Sequence, residues 1–284
     1  DWTLSRGLGD VYKRQDSGAI DPAIALLERA SPLPPQLVPK LFEASLLSSQ
    51  YDPACEQVLD LGANYQNDAG RIYCHALTGD WLTASLIYNT AKALNSIENS
   101  TLDILGEFLE IEEPSGRNIP KNKKDLKPLD FRLYETLGYP LFRENLGNAF
   151  LFGDLSGDNG WYAQIKAAER LAEDGVIDSN RFLGIFTAYE APSIDGIWEK
   201  VNAVQSLDKA LSRQTGTKET EIALVNAWQV FQYDSNSSIF AEIFTPKLLN
   251  IKLSPKSEVV AVKIGILSSS YDVITSKPMA IRTL

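Results

Sequence analysis

LTGDW, residues 77–81, reads as the end of one helix and the beginning of the next. Leu77 closes an apolar stripe, and Thr78-Gly79 makes a turn that a helix does not easily cross. Asp80 supplies a capping carboxylate, and Trp81 opens a second stripe. The same frame stands upstream as LSSQY, residues 47–51, and near the end as LSSSY, residues 267–271. In the first two copies a small residue follows three positions after the aromatic, Ala54 and Ala84, where two helices can approach closely. In the third that place is Ile274, and the match weakens.

Helical periodicity extends outward from these turns. Leu37, Leu41, Ala44 and Leu47 form one stripe, and Asp52-Pro53 restarts a helix. Ala69, Ile72, Tyr73, Ala76 and Leu77 form the next, and Trp81, Ala84, Tyr88, Ala91 and Leu94 the one after. Further along, Trp161, Ile165, Ala168, Leu171 and Ala172 share a face that Gly175 ends. Asp178 or Ser179 then caps a helix through Phe182, Ile185, Phe186 and Tyr189. Two more helices are predicted over 195–213 and 217–233. Residues 253–267 fit both a strand and a helix, and the turn motif that follows decides for a helix.

Helix, tight turn, helix at this spacing predicts an all-α fold of stacked helical hairpins, an α-solenoid-like array in which no helix buries its stripe alone. Tyr51, Trp81 and Tyr271 are expected to wedge these hairpins rather than to form a row facing a ligand. The expected organisation is a hairpin array over 16–110, a linker or surface loop over 111–128, a second helical region over 129–250, and the start of a further hairpin over 251–284. The loop carries three prolines and the basic residues Arg117, Lys121, Lys123, Lys124 and Lys127, read as a solvated surface. Glu107, Glu110, Glu112 and Glu113 are placed to neutralise it in part.

Composition narrows the function. The net charge is −10, which disfavours nucleic acid and anionic membranes as partners. No apolar run reaches membrane-spanning length, so no integral membrane segment is expected. Cys55 and Cys74 are the two cysteines, expected as buried thiols in preference to a disulfide. A metal site joining them to His75, the single histidine, lacks a fourth ligand, and neighbouring helical residues diverge by about 100°. The acidic stretch 154–160 starts like a calcium loop but puts Asn159 at the sixth place and Ile165 at the twelfth. Glu190, between Tyr189 and a turn, has no partner signature for acid catalysis. No catalytic, cofactor-binding or metal residue is assigned.

Three segments, PLDFRLYETLGYPL (128–141), GWYAQIKAAERLAEDGVIDSNRFLGIFTAYE (160–190) and GIWEKVNAVQSLDKAL (196–211), resemble parts of uncharacterised alphaproteobacterial helical-repeat proteins. The hairpins over 35–95 loosely resemble tetratricopeptide arrays, without their full spaced set of Trp, Gly, Tyr, Ala and Pro. The resemblance implies a scaffold, with the periplasm or cell envelope slightly favoured over the cytoplasm. A different resemblance marks the start of the chain. With one permitted codon per residue, SRGLGDVYKRQ (5–15) back-translates into a string resembling a transposase-type sequencing adapter that ends in its mosaic end. Residues 1–15 are therefore read as non-native, with the natural chain starting near Asp16 in a metagenomic fragment. The Gly7-Leu8-Gly9 pair then loses its appeal as a nucleotide loop. The last residues, KPMAIRTL, lack the polar face of a terminal cap, so the chain is expected to continue.

These readings favour a non-enzymatic scaffold that binds a peptide or protein. The alternative is the substrate-positioning region of a cell-envelope enzyme whose catalytic domain lies outside this stretch. A third reading, a small-molecule carrier with a pocket at Trp161, Phe186 or Trp198, requires an enclosed cavity among those rings. Deleting residues 1–15 is expected to leave a circular-dichroism melt unchanged; a marked loss of stability would make the stretch part of the fold.

Overall fold

The computed structural model describes residues 18–30, 32–48, 52–112, 126–141, 143–213 and 217–276. The adapter-like residues 1–15, Tyr51, most of the 111–128 loop and the final eight residues lie outside them. Among the described residues every regular element is a helix, and the chain forms two compact units, one ending at Asn159 and one beginning at Gly160.

In the first unit the helices are α1 (Ile20–Glu28), α2 (Val38–Ser48), α3 (Asp52–Leu61), α4 (Asp68–Leu77), α5 (Trp81–Leu94), α6 (Asn99–Phe108), α7 (Pro128–Thr136) and the single turn α8 (Asn148–Leu151). From α1 to α7 each helix packs on the next in sequence, and α4 with α5 is among the closest pairs. The expected stripes are what they bury: Leu37, Leu41, Ala44 and Leu47, then Ile72, Tyr73 and Ala76, then Ala84, Tyr88 and Ala91. Ala54 and Ala84, the small residues of the repeated turn, are also buried.

The ends of the stripes differ. Leu77, Trp81 and Leu94 are 39%, 49% and 71% exposed, because each sits at a helix terminus. Trp81 still lays its ring 6.1 Å from that of Phe108, so it touches a neighbouring helix on one side and solvent on the other. Between α4 and α5 the backbone turns through Gly79 at φ +83°, a conformation that resists any side chain. The amide of Asp80 donates back to His75 O at 2.9 Å, and the Asp80 side chain accepts from Thr83 N at 3.2 Å, as an N-cap should. Gly106 serves close approach instead: a Cβ there would stand 2.5 Å from the Tyr88 hydroxyl.

The array is not purely one-dimensional. α7 packs on α2, and Arg132 donates to the Leu46 carbonyl, near the C-terminal end of α2, from Nη2 at 2.7 Å and Nε at 3.2 Å. A ladder of paired charge, buried at its Asp154 end, continues from there. Arg132 pairs with Glu135 at 2.9 Å, Glu135 with Arg143 at 2.5 Å, and Arg143 with Asp154 at 2.6 Å. Residues 129–159, which the sequence reading groups with the second helical region, fall in the first unit.

The disulfide is a correction to the sequence reading. Cys55 on α3 and Cys74 on α4 are bonded, their Cα atoms 5.2 Å apart. Both sit on inward faces of neighbouring helices, so two residues read as buried thiols meet.

The second unit holds α9 (Trp161–Glu173), α10 (Ser179–Phe186), α11 (Ile197–Leu211), α12 (Lys218–Phe231), α13 (Ser237–Leu248), α14 (Pro255–Ile266) and α15 (Tyr271–Ser276). Asp178, one of the two residues expected to cap α10, does so through Arg181 N at 2.8 Å. The ambiguous 253–267 stretch is helical, as the turn motif indicated. Two glutamates clamp the starts of later helices. Glu221 on α12 accepts from both Ser254 N (2.6 Å) and Ser254 Oγ (2.8 Å). Glu242 on α13 does the same for the backbone amide and hydroxyl of Ser269.

The disulfide closes a loop short enough for a stabilisation of about 3 kcal/mol on the chain-entropy view. Reduction, or Cys55→Ser with Cys74→Ser, is expected to lower the unfolding free energy by roughly that amount in urea titrations. Equal midpoints with and without reductant would contradict it.

Candidate functional site

Three helix starts in the first unit face one cleft of about 290 Å³. α4 begins at Asp68, α6 at Asn99 and α7 at Pro128, while Phe42, Glu43 and Leu46 of α2 line another side. The local sequence explains each start. Asn67 Oδ1 accepts from Gly70 N at 3.1 Å and caps α4. Lys127, in extended backbone, precedes Pro128, which occupies the first turn of α7, where the missing N–H is not needed.

The rim is polar and internally braced. Ser96 Oγ donates to Asp68 Oδ2 at 2.8 Å, and Arg71 reaches the other oxygen of Asp68 at 3.1 Å. Lys127 Nζ meets Glu98 at 2.5 Å, and Lys40 meets Glu43 at 2.5 Å. Hydrogen bonds from Lys127 and Ser100 hold the exposed Glu98 carboxyl below the usual glutamate range.

The floor is different. Asp130, in the first turn of α7, is 6% exposed, with Oδ1 closed off from solvent. Thr101 on α6, 4% exposed, sets its hydroxyl beside the Asp130 carboxyl. Burial pushes the Asp130 carboxyl above the usual aspartate range. The Thr101 hydroxyl and the Lys127 ammonium pull it down, and Glu98 adds to the rise. The carboxylates at the mouth of the cleft are each paired, Glu43 with Lys40, Asp68 with Arg71 and Glu98 with Lys127.

Two larger depressions lie in the second unit. A groove of about 690 Å³ along α11 and α12 has Asn202, Ser206, Asn226 and Gln229 among its lining residues. Another, of about 510 Å³, runs between the end of α13 and α14, where the buried Thr245 hydroxyl is unpartnered. The Asp130 cleft differs from both in having a buried carboxyl among its lining residues.

The residues weighed from sequence lie elsewhere. Cys55 and Cys74 are joined to each other, and His75 Nδ1 stands 3.2 Å from Asp80 Oδ2. Among the described residues no three His, Cys, Asp or Glu side chains gather as a metal set. Asp154, the first residue of the calcium-like stretch, is held by Arg143 and by Asn159 at 2.6 Å. Glu190 is exposed. Glu107 accepts from the Tyr139 hydroxyl at 2.7 Å and Glu112 from Lys92 at 2.6 Å and the Tyr88 hydroxyl at 2.9 Å, so these two acids brace helices. Arg117, Lys121, Lys123 and Lys124 lie outside the described residues, while Lys127 joins the cleft.

The aromatic pocket also resolves into packing. Trp161 lies 5.0 Å from Trp198 and 5.4 Å from Tyr189, donates its indole N–H to Ile185 O at 2.8 Å, and leaves Phe186 fully buried. Sequence reasoning passed over Asp130, Thr101, Glu98, Asp68 and Glu43. The available signal was Asp130 two residues after Pro128, which looks like any acid complementing a helix start.

Comparison with protein-family models, with curated proteins and with solved structures finds no match to this chain.

Because the folded Asp130 carboxyl is raised, the native state keeps its proton to higher pH than the unfolded chain does. Stability is therefore lost as pH rises from the ordinary aspartate range through the folded value. Thr101, Glu98 and Lys127 bear on this titration, with Glu43 and Asp68 on the neighbouring walls. Asp130→Asn removes the loss. The variant is expected to be more stable than the parent at pH 7, on the order of 1 kcal/mol, with the gap closing below the aspartate range in paired thermal melts.

Proposed function

We propose that this chain is a non-enzymatic helical-repeat scaffold, of a tetratricopeptide-like kind, that binds a peptide or protein partner. The observation that carries this reading is the series of neighbouring helices that bury their stripes on one another, as stacked hairpins do, with a polar cleft at the starts of α4, α6 and α7. The pairing of consecutive helices supports the hairpin-array part of the reading. Amide side chains along the α11–α12 groove add a second place where polypeptide backbone could be hydrogen-bonded. The Cys55–Cys74 disulfide supports an oxidising compartment such as the periplasm or cell envelope.

Display of a random peptide library against the immobilised chain tests the reading directly. Enriched peptides are expected to bind the soluble chain in calorimetry and to compete with one another. A library that yields no enriched binder over several rounds would remove the peptide-binding function.

A further inference from the structure

We infer that the aromatic surface at the starts of α9 and α11 is a docking site for a proline-rich peptide in the polyproline II conformation, with a basic residue beside the proline run. The inference deepens the scaffold reading and rests on it.

Four rings in contact form the surface. Ring centres are 5.4 Å apart from Tyr189 to Trp161, 5.0 Å from Trp161 to Trp198 and 6.2 Å from Trp198 to Tyr162. The two tryptophans are half-buried, while Tyr189 and Tyr162, at the ends of the row, are 65% and 56% exposed. A single apolar side chain at a surface is ordinary. A contiguous row of tyrosine and tryptophan is the composition of a binding face, because each ring brings a large contact area and few rotamers to freeze.

Hydrogen bonding narrows the guest. The Trp161 indole N–H is taken by Ile185 O, but Trp198 Nε1 makes no hydrogen bond among the described residues and is not closed off from solvent. The hydroxyls of Tyr162 and Tyr189 make none there either. The row therefore sets indole and phenol donors beside apolar ring faces. Polyproline II answers both features. Its prolines carry no N–H, its carbonyls have no internal partner, and its pyrrolidine rings pack on aromatic faces.

The surface is also held in place. The segment between α10 and α11 is pinned by side chains of α11: Gln205 Nε2 donates to Phe186 O at 2.8 Å and to Tyr189 O at 2.7 Å, and Asn202 Nδ2 donates to Pro192 O at 3.0 Å. Little ordering is left for Tyr189 on binding, and a polyproline helix is itself preformed.

Charge selects the flank. Glu190 and Glu199 follow Tyr189 and Trp198 in the chain, and Asp195 lies on the pinned segment; all three are exposed and in no ion pair among the described residues. The first cations along α9 and α11, Lys166 and Lys200, are both held by Glu169, at 3.4 and 2.7 Å. A basic residue beside the prolines thus meets unpaired carboxylates, and an acidic one meets repulsion. Glu199 also lines the α11–α12 groove, which gives the peptide a polar continuation past the rings.

A blocked hexaproline peptide ending in arginine, titrated into the full chain and followed by NMR of the indole N–H signals, provides the test. A glycine–serine peptide of the same length and ending serves as control, and cellohexaose as a sugar probe. The Trp198 indole signal, assigned by its loss in Trp198→Phe, is expected to shift saturably with the proline peptide. The glycine–serine peptide should bind about tenfold more weakly or worse. Tyr162→Ala combined with Tyr189→Ala should weaken the proline peptide about tenfold and leave the melting temperature unchanged, because both side chains are exposed. Trp198→Phe, which keeps a ring and removes the donor, should weaken it about fivefold. No binding of the proline peptide, equal binding of the glycine–serine peptide, or undiminished binding to the double variant would overturn the assignment. Binding of cellohexaose in place of the peptide would give the surface to a sugar and overturn it too. Library peptides that bind without prolines and leave the Trp198 signal unmoved would sink this site and leave the scaffold reading standing. A library without binders would remove the scaffold reading itself.

Discussion

Every helix here depends on a neighbour to cover its apolar stripe. Ala84, Tyr88 and Ala91 are buried because α4 and α6 stand against them; α5 alone would leave them in water. A fully buried Leu or Phe contributes roughly 1.5–3 kcal/mol, but only while both helices of a pair are in place. Stability is therefore shared between neighbours. The specific bonds seen here sit where neighbours must be kept in register: the disulfide ties α3 to α4, Arg132 ties α7 to the end of α2, and Glu221 and Glu242 clamp the starts of α14 and α15.

The same dependence explains why two buried aspartates of the first unit have opposite characters. Asp154 is 2% exposed and surrounded by donors, with Arg143 on one oxygen and Asn159 on the other. Its charge belongs to a ladder that holds 128–159 together, and a fully satisfied network of this kind specifies one arrangement. Asp130 is nearly as buried, yet it meets the neutral hydroxyl of Thr101 where Asp154 meets a guanidinium, and burial holds its carboxyl above the usual aspartate range. Three helix starts meet there, and their geometry leaves a cleft where a packed contact would otherwise be.

Much of the helical array was legible in the residues. LTGDW contained a stop, a cap and a restart, each with a local physical cause, and the stripes around it predicted which residues turn inward. Where prediction and structure part, the cause is tertiary. Leu77, Trp81 and Leu94 fit their stripes yet lie exposed, because a helix end projects past its partner. The periodicity picked out no stripe at α13, since Ile239, Phe240, Ile243, Phe244 and Leu248 are buried around much of its circumference and Pro246 interrupts the pattern.

The sequence by itself determined many of the helices, their turns and the faces they bury, because capping, glycine turns and 3.6-residue periodicity act within a few residues of chain. Only the tertiary structure decided that Cys55 meets Cys74, that α7 returns to α2, and that Asp130 and Thr101 share one cleft. Those relations join residues far apart in the chain, and each depends on how packed helices set distances and exclude water. An aspartate after a proline reads the same at any helix start; its burial makes this one different.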